Sequence, residues 1–453
     1  MRTLNQLTFA CACSLLVSTA AAQTNLTSSN ETYTVDLPTV LRLASAQNLD
    51  VQIAREKLTQ ARASYNGAVM QFLPWLSPGV SFRRHDNFIQ DVAGNIIEVH
   101  KESYAPGITV NAQVDLGDAL YKSLAARQTL NAADHALEAQ RQITLLSAIQ
   151  GYYDLAKAQA QIAVDNEALR ISQNLEQQLI SAVSAGIAYK GDQLRAQVQT
   201  GQTALSLRQA LEQQRVAGAR LAEVLRLDPA VELVAKETEL VPLSLVASNA
   251  ALSPLVEQAL VHRPELQASH SLVAAARSAH DGTTVGPLIP SLGGQAFIGG
   301  LGGGIDNQPH PFGQSEDYIA YLSWRIGPGG LFDFSRTRLY QSRLEDARLG
   351  EAKLHDQITR EVVESITRFR SLSEQLTTVK HNLELAAEAE KLAEQRQEFA
   401  VGAVLEDIQT QQDLTRARND FANIVAEFNK AQYALLRAIG NLATDKPAVS
   451  SLK

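Results

Sequence analysis

The sequence predicts a mainly α-helical chain carrying a small amount of amphipathic β structure, built as two copies of one unit. Three observations predict it. Long runs place apolar residues every 3.5 positions, two segments alternate apolar and polar residues, and the chain matches itself at a shift of about 215 residues.

The self-match is the firmest of the three. "QNLDVQIAREKLTQARASYNGAVMQFLPWLSPG" (47–79) aligns with "HRPELQASHSLVAAARSAHDGTTVGPLIPSLGG" (262–294), placing Ala61 on Ala276, Arg62 on Arg277, Gly67 on Gly282 and Gly79 on Gly294. With a one-residue slip Pro74 falls on Pro290. The expected organisation is a signal peptide (1–22), a first repeat (23–228), a connector with two prolines (229–254), a second repeat (255–442) and a short tail (443–453).

Each repeat reads as a helix of roughly 30 residues, a β-hairpin (76–116 and 292–327), and two very long helices separated by a glycine break near 186 and 402. The final helix spaces Leu414, Ala417, Phe421, Ile424, Phe428, Ala431, Leu435, Ala438 and Leu442 at 3,4,3,4, the left-handed coiled-coil period. Phe369, Leu372, Leu376, Val379, Leu383 and Ala386 do the same before it, as do Ile143, Leu146, Ile149, Tyr153, Ala156, Ala160 and Ala163 in the first repeat. A helix from Asp118 to Ala182 extends about 100 Å at ~1.5 Å per residue, too long for a globular core. Such helices lie along one another in a rod or a tube, and a soluble coiled-coil rod fits the helices taken alone.

Before each long pair the period changes to 2. Ile108, Val110, Ala112, Val114 and Leu116 alternate with Thr109, Asn111, Gln113 and Asp115; Tyr318, Ala320, Leu322, Trp324 and Ile326 alternate with Tyr321, Ser323 and Arg325. That is the pattern of a barrel strand between lipid and water, although a half-buried soluble hairpin shares it. Each has a shorter strand before it (76–88 and 292–301), giving four strands per chain. Four strands cannot close a barrel in lipid, where about eight is the smallest number found, so a membrane reading requires oligomerisation.

Composition narrows the function. The net charge of −8 becomes −9 once the predicted signal is removed, 39 basic against 48 acidic residues, and no basic run with interleaved aromatics appears, which argues against nucleic acid. Cys11 and Cys13 both lie in the signal, leaving no mature thiol chemistry. Thr8 stands where a lipoprotein signal ahead of Cys11 has leucine. The histidines lack ligand spacing, Met1 and Met70 are the only methionines, and "GGLGGG" (299–304), with no Lys-Ser/Thr after it, reads as an exposed hairpin loop. No catalytic set, metal site or cofactor site is expected.

The order helix, strand pair, long helix pair, twice over, with "FLPWLSPGVSF", "GLFDFSRTRL" and "AVGAVLEDIQ", resembles the TolC-like outer membrane efflux protein family. The resemblance covers essentially the whole mature chain. It implies a homotrimer in which twelve strands form one outer-membrane β-barrel and twelve long helices continue as a periplasmic α-barrel. It implies a passive exit duct of a tripartite efflux or type I secretion system, whose partners are a periplasmic adaptor (membrane fusion) protein, an inner-membrane pump and outer-membrane lipid. Ala185, Gly186, Ile187, Val401, Gly402 and Ala403 match the family's adaptor-docking tips, and Asp407 matches an acidic residue of its periplasmic gate. Thr410 stands where relatives often carry a second acid, and Arg195 is the expected gate contact on the neighbouring hairpin. For Asp407 a solvated helix-start carboxylate is the alternative. For the whole chain the alternative is a soluble periplasmic coiled-coil adaptor or scaffold.

Overall fold

The computed structural model describes residues 32–73, 75–228, 230–237, 239–247, 250–305, 312–398 and 404–442. The predicted signal, the tip residues Val401, Gly402 and Ala403, and the tail lie outside the described residues.

In chain order the elements of the first repeat are β1 (Thr32–Val35), α1 (Leu37–Gln47), α2 (Leu49–Met70), β2 (Trp75–His85), β3 (Phe88–Gln90), β4 (Ile96–Glu98), β5 (Lys101–Asp115), α3 (Leu116–Ser184) and α4 (Lys190–Leu225). After β6 (Glu232–Ala235), the second repeat has α5 (Leu252–His262), α6 (Pro264–Thr284), a 3-10 turn (Gly286–Leu288), β7 (Ser291–Ile305), β8 (Gly313–Ser323), α7 (Phe334–Glu398) and α8 (Val404–Ala438). At 69 and 65 residues, α3 and α7 are each about 100 Å long.

The helix of about 30 residues expected in each repeat is two helices. The first breaks at Asn48, whose Oδ1 accepts from the amides of Asp50 (2.9 Å) and Val51 (3.4 Å), so an Asn cap starts α2 where the apolar pattern runs on. The second breaks at the equivalent Arg263, with Pro264 opening α6 at a position where its missing N–H costs nothing. The expected connector also holds structure: β6 pairs in parallel with β1, Thr32 opposite Glu232 through Val35 opposite Ala235.

The two expected hairpins form one sheet in the order β2-β5-β7-β8, all antiparallel. β8 stops at Ser323, short of Trp324 and Ile326, and Leu116 is already helical. The run 299–304, expected as an exposed loop, lies inside β7. The glycines leave room for aromatics: a Cβ at Gly300 would strike the ring of Phe312 and one at Gly302 the ring of Tyr104. Those two rings stack, with centroids 6.0 Å apart.

Every layer keeps one lateral order. Nearest the sheet, α2 packs on α3, α3 on α6 and α6 on α7; farther down, α4 packs on α3, α3 on α8 and α8 on α7. The core sits where these layers meet, with Ile149, Tyr152, Leu155, Leu221, Leu225, Leu233, Ile358, Phe369, Leu435 and Ile439 buried together. The predicted seam of α7 is buried or half-buried from Phe369 to Ala386, while Ile143 and Ala163 of the predicted α3 seam are exposed. α8 buries two stripes, Phe428, Ala431, Leu435 and Ala438 beside Val425, Gln432 and Leu436, as a helix between two neighbours must.

Candidate functional site

Strand register sorts the sheet into two chemically distinct faces. Leu76, Val80 and Phe82 on β2, Tyr104, Ile108, Val110 and Val114 on β5, Leu292, Ala296 and Ile298 on β7, and Tyr318, Ala320 and Leu322 on β8 share one face, because partnered residues point the same way. The other face carries Ser77, Ser81, Thr109, Asn111, Gln113, Ser291, Gln295, Ser315 and Asp317, with Trp75, Phe297, Leu301, Ile319 and Tyr321 among them. Phe82, Ile108, Ile298 and Tyr318 are each more than half exposed in the single chain. The apolar face is the lipid-facing pattern read from the sequence, now carried by all four strands.

The junction between sheet and helices is held by charge. Arg336, at the start of α7, donates to Asp118 Oδ1 on α3 at 2.9 Å and to the carbonyl of Gly329 at 3.0 Å. Asp333 accepts from the amides of Gly329 (2.8 Å) and Arg336 (3.0 Å), capping α7 within the "GLFDFSRTRL" segment.

At the opposite end, α3 closes in a Schellman motif. Gly186 has φ +76°, its amide donates to Val183 O, and the Ile187 amide donates to Ala182 O, both at 3.0 Å. The expected left-handed glycine is therefore present. Ala185 is the C-cap, Ile187 is 82% exposed and Tyr189 is 76% exposed, so the turn presents apolar side chains to solvent. Just behind it Leu175, Leu179, Ala196 and Ile408 form a small core joining the α3/α4 hairpin to α8. The sequence reading missed this cluster because its members come from three helices.

Asp407 is not solvated: it is 6% exposed in the first turn of α8. Burial, then the carboxylates of Glu390 and Glu394, push its pKa above the usual carboxylate value. Thr410 turns its hydroxyl back to Glu406 O and Asp407 O, both at 3.1 Å. Arg195 pairs with Asp192 of its own helix at 3.4 Å and is otherwise exposed, so one chain does not bring it to Thr410 or Asp407. Asp165, in the second half of α3, was not singled out in the sequence; burial raises its pKa against a hydrogen bond from Asn419.

Among the described residues no helix is long and apolar enough to cross a membrane, and no group of three His, Cys, Asp or Glu side chains could hold a metal ion. A long helical stem is continued by a sheet with one apolar and one mainly polar face, the layout that the resemblance implies for one protomer of an outer-membrane channel.

Comparison with known proteins agrees. Residues 255–441 match the outer membrane efflux protein family. Over 91% of the chain and 87% of its counterpart, the fold superposes on the CmeC outer membrane channel of Campylobacter jejuni (TM-score 0.76, 15% identity). A membrane protein from Pseudomonas aeruginosa gives TM-score 0.76 at 20% identity, covering 89% of this chain and 93% of the other. The open-state MtrE outer membrane channel of Neisseria gonorrhoeae gives 0.70 at 15%, covering 90% of each. No curated protein matches. The TolC-like resemblance read from the sequence is thus borne out, in its second repeat by sequence and along the chain by fold.

Proposed function

We propose that three copies of this chain form a passive exit duct of a tripartite efflux or type I secretion system, conducting substrates across the periplasm and the outer membrane. One observation carries the reading: the shared lateral order leaves β2, α2 and α4 free on one side and β8 and α7 free on the other. A sheet edge in lipid leaves backbone N–H and C=O groups unpaired, at several kcal/mol each, so β8 of one copy joins β2 of the next. Three four-stranded sheets then close a twelve-stranded barrel, polar face inward.

The free helices carry the matching apolar surface: Leu194, Val198, Leu205 and Leu211 on α4, and Leu339, Leu349, Leu385 and Leu392 on α7 are exposed in the single chain. Ala185, Gly186 and Ile187 at the turn after α3, and Val401, Gly402 and Ala403 as the matching sequence of the second repeat, dock a periplasmic adaptor. An inner-membrane pump supplies the energy, and the duct itself performs no catalytic step. Asp407, Thr410 and Arg195 act at the periplasmic gate, Arg195 across the seam between copies.

Fractionation tests the proposal. The protein is expected in the outer membrane, extracted only by detergent, as a trimer that dissociates on heating in SDS. A soluble monomer would sink it.

A further inference from the structure

Three aromatic side chains interrupt the polar face of the sheet: Trp75 opposite Asn111, Tyr321 opposite Gly293, and Phe297 in mid-strand. Phe297 stands on β7 between Gln295 and Gly299, directly opposite Thr109 on β5 and Asp317 on β8, where alternation favours a polar residue. Its ring lies down over the sheet: a Cβ at Gly107 would fall 2.5 Å from it, and one at Gly299 2.8 Å from it. Gly79, Gly107 and Gly299 are successive partners across β2, β5 and β7, so no side chain rises from that row of the sheet. The result is a concavity of about 540 Å³. Leu301 and Ile319 supply apolar wall, Ser77, Thr109 and Ser315 hydroxyls, and among the described residues Asp317 is the only charged one lining it.

We infer that this concavity is a resting site for an amphiphilic organic cation bearing aromatic groups. The inference rests on the reading above, in which this face lines the duct. A flat ring face and a carboxylate on adjacent strands suit a delocalised cation: the ring offers stacking and cation–π attraction, and the carboxylate offers charge. Leu301 and Ile319 cover apolar parts of the guest. The volume suits a small organic molecule, since ligand pockets run from roughly 300 to 1,000 Å³. The hydroxyls of the wall carry no charge and Asp317 supplies a single carboxylate, which keeps binding weak, and a conduit needs a site that is easily left. A role confined to covering Gly107 and Gly299 would require the ring but not Asp317.

The test uses the full chain, purified from outer membrane in a non-ionic detergent in its natural oligomeric state. Binding of radiolabelled tetraphenylphosphonium is measured by equilibrium dialysis against a micelle blank. Tetraphenylborate, of the same shape and opposite charge, is the control. Saturable binding of the cation is expected, weakened about three- to tenfold by Asp317→Asn and about threefold by Phe297→Leu, with the anion binding no better than the blank. The inference is overturned if the cation does not bind above the blank, if the anion binds equally well, or if Asp317→Asn leaves the affinity unchanged. Size exclusion and fractionation of the same preparation read the duct proposal separately, so a trimer without saturable binding removes only the site.

Discussion

Arg263 donates through Nη2 to Glu265 at 2.8 Å, and the same carboxylate oxygen takes a second bond from Arg437 at 2.6 Å. Glu361 on α7 bridges the same two guanidinium groups, so the break between α5 and α6 is bound to α7 and to the end of α8. Arg263 is 2% exposed. Gly440 lies against the same break, where an added Cβ would come 2.9 Å from the His262 carbonyl carbon.

Removing one partner from this group strands buried charge. Arg263→Met is expected to lower stability by about 3–5 kcal/mol, read as a fall in the urea midpoint of the detergent-solubilised protein. An unchanged midpoint would mean that the carboxylates rehydrate.

The same group sets an acid response. Burial pushes the Glu265 carboxyl up, but hydrogen bonds and charge from Arg263, aided by Arg437, outweigh it and hold the pKa below the usual value. A carboxyl whose folded pKa is depressed stabilises the fold above its unfolded pKa and loses that contribution as pH falls through the folded one. Stability is therefore expected to drop as pH falls below about 4, and the drop should be smaller in Glu265→Gln.

Asp407 carries the opposite sign. Its pKa is raised by burial and by Glu390 and Glu394, so its charge at neutral pH opposes the fold, and protonation relieves the cost as pH falls through the raised value. Asp407→Asn should raise the thermal midpoint at pH 7, and that gain should vanish at acid pH. In planar-bilayer recordings the variant should also weaken block by divalent or trivalent cations added from the periplasmic side. Equal block in parent and variant would remove Asp407 from the gate.

Gly186 separates docking from folding. A Cβ there meets nothing within 4 Å, so Gly186→Ala strains only the left-handed backbone, at about 1–2 kcal/mol. Bulky replacements at Gly186, and Gly402→Pro, are expected to abolish dye efflux while the trimer still assembles. Full efflux by such variants would count against adaptor docking at the tip.

Two glycines of β7 give a contrasting pair. A Cβ at Gly303 would lie 2.1 Å from Glu102 O, whereas one at Gly294 meets only Ile319 O at 3.5 Å. Gly303→Val should prevent the heat-dissociable trimer from forming and Gly294→Ala should not. SDS gels of unheated membranes read both.

The sequence by itself determined the repeat, the long helices, the four strands and the left-handed turn at Gly186. Each leaves a local signature: a 3.5-residue period in Leu372, Leu376 and Val379, a 2-residue period in Ile108, Val110 and Ala112, or a glycine after a long helix. Only the tertiary structure decided what depends on partners distant in the chain. The β7 glycines read as a loop because nothing local shows that Tyr104 and Phe312 cover them. β1 finds β6 some 200 residues away, a parallel pairing that needs a long connection and leaves no local turn signal. Asn48 and Arg263 interrupt helices whose apolar patterns continue, since the break is fixed by bonds to Val224 O and to Glu361. The solvated helix start, the alternative to the gate reading of Asp407, fails because the side chain is buried near Glu390 and Glu394 of α7, and burial is a property of neighbours and not of spacing.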